Sequence, residues 1–201
     1  MRIQVIFLIL STSTAAASGP CFNFETKIVK PLRAPIALVQ GVDAADKGTM
    51  DEGAEGRNWA VVRAKVDKSL DTVYQLLLDH KTTSSPRVAE MTVEKIESPS
   101  YLQLEQVKFL IKPFLFVRVR WTEEWGFALA EGTRESPREI VISYEKTEGT
   151  SHIEHLCGNM VLRKLTDKST DVFLYEEAKA TNRKATDTLN GLLGTLKTLR
   201  K

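Results

Sequence analysis

The sequence predicts an α+β domain in which one antiparallel sheet of seven strands is covered by a long C-terminal helix. Three observations carry this. From residue 91 onward six segments alternate apolar and polar residues and are joined by short turns, as antiparallel neighbours are. One further strand and a helical segment precede them. The last twenty residues carry a broad apolar stripe at helical spacing, wide enough to cover a sheet.

The elements follow in chain order. In NWAVVRAKVD (58–67), Ala60, Val62, Ala64 and Val66 share one face, and Arg63, Lys65 and Asp67 the other. This is a half-buried strand with small inward residues. In SLDTVYQLLLDH (69–80), Leu70, Val73, Leu77 and Leu78 recur at helical spacing and Ser69 can cap the start. Residues 81–91, with Pro86, read as a loop or short helix. Strands then follow at 91–98, 101–111 and 115–125. The last is the clearest, with Leu115, Val117, Val119, Trp121 and Trp125 on one face and Arg118, Arg120, Thr122 and Glu124 on the other. Strands at 139–146, 152–165 and 171–180 are separated by Glu148-Gly149-Thr150 and by the turn TDKST.

The final helix carries Ala185, Leu189, Leu192, Leu193, Leu196 and Leu199 on one stripe, with Thr181 or Asn182 as its expected cap. Gly191 and Gly194 lie inside it. Each glycine costs about 1 kcal/mol relative to alanine, so they predict either a close approach to a sheet or ligand, or simple tolerance.

The N-terminal 57 residues differ from this body. Arg2 is the only charge before Glu25, and an apolar run, IQVIFLIL, is followed by STSTAAASG. Residues 1–17 therefore read as a signal peptide cleaved near Ala17, and the chain as exported, periplasmic or secreted. The run is too short to span a bilayer. Residues 18–57 read as an arm with Pro31, Pro35 and the apolar stretch Ile36 to Val39, followed by a flexible linker. The linker, 41–57, holds four glycines, five acids and two bases. The folded body is expected over 58–201.

Composition narrows the function classes. The 201 residues carry 28 Lys+Arg and 26 Asp+Glu, a formal charge of +2. That balance excludes a strongly basic nucleic-acid binder. Two cysteines exclude a disulfide scaffold. In an oxidising compartment Cys21 and Cys157 are a candidate disulfide; a free or lipidated Cys21 are the alternatives, and Pro20 argues against lipidation.

The order strand, helix, six strands, long helix resembles the helix-grip fold of the START-like superfamily (SRPBCC, or pollen-allergen-like, proteins). The resemblance covers 58–201. It rests on element order, on the Trp121 strand, and on the passage from ISYEK through HLCGNMVLRKL to YEEAKA and the terminal helix. It implies a curved seven-stranded sheet around the C-terminal helix, with an apolar cavity between them for a lipid, steroid or other hydrophobic molecule. The residues it places on the cavity wall are Val117, Val119, Trp121 and Trp125, then Ile140, Ile142 and Tyr144, then Leu189, Leu192 and Leu196. The competing reading is a filled core.

Candidate chemistry is sparse. His152 and His155 are three apart in a strand, so they face opposite ways. His155 and Cys157 share a face, but two ligands do not make a zinc site. No metal or cofactor is expected, and no P-loop, dinucleotide fingerprint or Ser-His-Asp order is present. His155 is a candidate cavity acid or base, or a histidine hydrogen-bonded in its strand. Glu123 falls on the Trp121 face. Inward, it would have a raised pKa and could anchor a ligand or accept a proton; at the strand end it would reach solvent.

The sequence thus favours a non-enzymatic, monomeric binder or carrier of a lipid or other hydrophobic small molecule, without nucleic acid as partner. A cyclase- or hydratase-type enzyme and a cell-envelope interaction module without a pocket are the alternatives. Segment 179–201 holds six bases and one acid. It could touch anionic membrane transiently, or be a solvated outer face.

Overall fold

A computed structural model describes residues 48–52, 56–84, 87–114 and 117–201. The strands are β1 (Gly48–Glu52), β2 (Asn58–Val66), β3 (Val88–Ile96), β4 (Gln103–Phe114), β5 (Val117–Gly132), β6 (Pro137–Gly149), β7 (Ile153–Thr166) and β8 (Ser169–Ala180). The helices are α1 (Leu70–Leu78), α2 (His80–Thr83) and α3 (Ala185–Arg200). All strand pairs are antiparallel, in the order β1-β2-β8-β7-β6-β5-β4-β3.

The seven expected strands are all present, and an eighth joins them. Gly48–Glu52, inside the segment read as a flexible linker, pairs with β2 from Gly48–Val62 to Glu52–Asn58. The reason is backbone chemistry. The outer edge of β2 presents unpaired N–H and C=O groups, and a chain needs no apolar side chains to satisfy them.

One face of the sheet carries the core. Ala60, Val62, Val107, Phe127, Ile140, Ile142, Leu162 and Leu174 are fully buried there with Leu192, Leu196 and Leu199 of α3. Register shifts in β5, between Thr122 and Glu123 and between Leu129 and Glu131, interrupt its pairing with β6, and bulges of this kind bend a strand. At the end of β6, Gly149 has φ +126°, and a Cβ there would lie 2.4 Å from the Arg120 carbonyl oxygen, so only glycine fits.

Both longer helices pack on this concave face. α3 lies against β1, β2 and β8, and α1 faces β6, β7 and β8. Ser69 caps α1 as expected, accepting from Thr72 N at 3.2 Å. The start of α3 departs from expectation. Asn182 takes a left-handed turn conformation, φ 60°, and the helix begins after Lys184, whose N–H donates to the Asp187 carboxylate at 2.9 Å. Gly191 and Gly194 are exposed, and a Cβ on either would meet nothing within 4 Å. They make no close approach to the sheet.

Candidate functional site

One row of side chains crosses the concave face. Glu105, Trp125, Tyr144, Gly158, Glu176 and Ala60 are successive register partners on β4, β5, β6, β7, β8 and β2. Trp125 stacks on Tyr144, with ring centroids 4.3 Å apart. Gly158 leaves the next position empty of side chain, so the Tyr144 ring passes over β7 and its hydroxyl donates to Glu176 Oε2 on β8 at 2.7 Å. The other oxygen of Glu176 accepts from Arg183, in the turn before α3.

Glu123 stands one inward position before Trp125. It is 4% exposed, and both its oxygens accept indole N–H groups, from Trp121 at 2.6 Å and Trp125 at 2.8 Å. Burial dominates its titration and pushes the carboxyl up to about 7, against the two indole hydrogen bonds; the charge of Glu176 adds to the rise and Arg183 opposes it. Burial likewise pushes the Tyr144 hydroxyl well above its ordinary range, aided by Glu176 and Glu123. Phe109 stacks on Trp121 at 4.9 Å. The arrangement is a carboxyl group held in an aromatic box, next to a hydrogen-bonded tyrosine, carboxylate and guanidinium.

A second polar group closes the other side of Trp125. His80 Nε2 lies 2.7 Å from Glu105 Oε2, with both side chains 2% exposed. Gln103 Nε2 donates to the other oxygen of Glu105. The His80 ring meets Trp125 edge to face at 4.7 Å. Burial favours the neutral form of Glu105, but the hydrogen bonds from His80 and Gln103 and the charge of His80 outweigh it, so the carboxyl is held below its ordinary range.

The structure brings most of the expected wall together. Trp125, Ile140, Ile142, Tyr144, Leu192 and Leu196 are buried in the concave cluster, with Trp121 and Leu189 partly buried against it. Val119 is buried but lies outside that cluster. Two residues are corrections. Val117 is 38% exposed at the start of β5, because the strand begins outside the covered part of the sheet. His155 lies on the convex face and cannot reach Tyr144 or Glu123. Register explains it: Gly158 is the inward partner of Tyr144, so Cys157 points outward, and His155 shares that face. There His155 Nε2 sits 3.0 Å from Glu177 Oε1 and 3.5 Å from Cys157 Sγ. Cys21 lies outside the described residues.

Sequence reasoning missed His80, Glu105, Glu176, Arg183 and Gly158. Glu176 was within reach, since Val172, Leu174 and Ala178 place it on the core-facing phase of β8. Among the described residues no group of three or more histidine, cysteine or acidic side chains could hold a metal. None of their helices is long and apolar enough to cross a membrane.

No protein-family model matches the chain, and no curated protein is significantly similar to it in sequence. Solved structures do match. The human StarD13 lipid transfer and protein localization domain superposes with TM-score 0.54 at 8% identity, covering 82% of this chain and 91% of that one. A protein of Thermus thermophilus superposes with TM-score 0.50 at 18% identity, over 70% and 92% of the two chains. The chain has the START-like helix-grip fold. At these identities the likeness defines the fold and leaves the function to the site.

Proposed function

We propose that this protein binds or carries a lipid or other hydrophobic small molecule on the concave face between sheet and C-terminal helix. The observation that carries the reading is the aromatic box of Phe109, Trp121, Trp125 and Tyr144 around the buried Glu123. An aromatic wall with one or two fixed polar groups suits an apolar ligand bearing a hydroxyl or similar head. The START-like fold supports the reading, since the human domain it resembles is described as a lipid transfer domain.

The test is native mass spectrometry and organic extraction of the purified protein, with a fluorescent fatty acid as added probe. A co-purifying apolar molecule, or saturable binding that quenches tryptophan emission, is expected. Absence of both would overturn the reading. Export and contact of the basic α3 with membrane belong to the same proposal. N-terminal sequencing of cell-fractionated protein tests the first, and sedimentation with anionic vesicles the second. Size-exclusion chromatography with light scattering tests the expected monomer.

A second reading rests on one observation. Glu123, with its raised pKa, and Tyr144 share a face and are electrostatically coupled, so a proton could be exchanged with a bound substrate. Such an enzyme would use Glu123 and Tyr144 without His155. Turnover of an apolar ligand that disappears in E123Q, with binding retained, would establish it.

A further inference from the structure

Glu105, Glu123 and Glu176 stand on the concave face, and two of these carboxylates have a basic side chain against them. Glu105 Oε2 lies 2.7 Å from His80 Nε2, and Glu176 is paired with Arg183. Among the described residues Glu123 has no such partner. Its hydrogen bonds come from the neutral indoles of Trp121 and Trp125. Lys146, its register partner on β6, is partly exposed and forms no ion pair with it. A carboxylate offers about four acceptor sites, so the two indoles leave some unused. Buried carboxylates are ordinarily paired with a positive charge, and of the three Glu123 alone is held by neutral groups. The rings around it favour the same charge. Phe109 stacks on Trp121 at 4.9 Å and Tyr144 on Trp125 at 4.3 Å. Phe109, Trp125 and Tyr144 are buried, while Trp121 is only partly so. Aromatic faces carry negative charge density, and tryptophan attracts a cation most strongly.

We propose that the ligand of this site is an apolar amine, whose protonated ammonium group pairs with Glu123 beside Trp121 while its apolar part lies along the concave face. This rests on the reading of that face as a ligand site, and it narrows the ligand to one chemical class. The ammonium supplies the positive charge, donates to the remaining lone pairs of the carboxylate and lies against the Trp121 ring. A neutral head of the same size gains the hydrogen bond without the charge. A carboxylate head meets Glu123 as a like charge.

The ionised carboxyl is the form that binds. The charged and titratable groups on its side of the sheet are Tyr144 and Lys146 on β6, Glu176 on β8, Arg183 in the turn after β8, and Glu105 and His80 beyond Trp125. Burial sets the Glu123 carboxyl at about 7, with Glu176 raising it and Arg183 lowering it. A bound ammonium adds a second lowering charge, so amine binding strengthens as pH rises through neutrality.

The test compares dodecylamine, dodecanol and dodecanoate, which share one chain and differ in the head, by tryptophan fluorescence of the full chain at pH 8 and pH 5. At pH 8 the amine is expected to bind about ten-fold more tightly than the alcohol, the size of one desolvated cation–π contact, and dodecanoate most weakly. At pH 5 the amine keeps its charge while Glu123 gains a proton, so the advantage over the alcohol is expected to vanish. In Glu123→Gln amine and alcohol should bind about equally at both pH values, and the alcohol reports whether the site survives the substitution. Alcohol binding as tight as amine binding at pH 8, or an amine advantage of the same size at pH 5, would overturn the inference and leave the concave-face reading standing. Binding of none of the three would overturn both.

Discussion

The ring of Tyr144 occupies the space that a side chain at position 158 would need. A Cβ on Gly158 would lie 2.0 Å from Tyr144 Cζ. The ring cannot step aside easily, because Trp125 stacks on it and Glu176 accepts its hydroxyl. Gly158→Ala should therefore destabilise the fold by about 1–3 kcal/mol, the usual range for overpacking. It should also release Tyr144 from Glu176. Urea denaturation measures the first effect. A change in Trp125 fluorescence in the folded state reports the second, and an unchanged spectrum with unchanged stability would contradict the packing described.

His80 and Glu105 join the helical segment to the sheet inside the core. Glu105→Ala takes away the buried carboxylate that His80 Nε2 contacts at 2.7 Å, so it should cost about 3–5 kcal/mol. Glu105→Gln keeps a hydrogen-bond acceptor for His80 and should lose less. The sign of the pH dependence follows from the depressed carboxyl. Its stabilisation is complete above the ordinary glutamate value of 4.5 and is lost as pH falls through the lower folded-state value. Denaturation midpoints taken between pH 6 and pH 3 should fall less steeply in Glu105→Gln than in the parent.

The fold was legible because its strands alternate cleanly and its last helix carries a single stripe. The site was legible in part. Trp121, Trp125, Ile142 and Tyr144 follow from strand phase alone. Glu105 was hidden because β4 carries apolar residues on both faces: Leu104 and Leu110 alternate with Val107 and Phe109, so alternation alone does not say which face holds the core. A carboxylate on the core face looks like an error of phase until its partner is known, and His80 lies 25 residues earlier. Gly158 had no signal of its own, since its role depends on a tyrosine from the neighbouring strand. His155 was assigned to the wrong face because phase was not carried across strands from Tyr144 to Gly158.

Gly191 and Gly194 offer a case where the structure decides between two sequence readings. Neither position meets a neighbour where a side chain would stand. Alanine at each should remove the helix penalty without a clash, stabilising the protein by roughly 0.5–1 kcal/mol per site. The two sites lie three residues apart on one helix, close enough to couple, so the double variant measures how far the gains add. Thermal melts of the single and double variants check this; a loss of stability would mean that something does approach the helix there.

Glu123 should make the protein less stable as pH rises through neutrality. Its folded-state carboxyl titrates at about 7 against an ordinary 4.5, so the folded state holds the proton more tightly than the unfolded state. That preference favours folding below pH 4.5 and is lost progressively as pH rises to about 7. At 1.36 kcal/mol per pKa unit the full change is on the order of 3 kcal/mol. Glu123→Gln carries no titrating proton and should flatten the profile between pH 5 and pH 8. The same substitution leaves one indole N–H facing an amide instead of an acceptor, so Trp121 or Trp125 should turn in its box. If the box is where an apolar ligand docks, Glu123→Gln should strengthen binding of a fluorescent fatty acid at pH 8, where the ionised native carboxyl repels the ligand's carboxylate, and change it little at pH 5, where the native carboxyl is itself largely neutral. The same change at both values would mean that the charge of Glu123 plays no part in recognition.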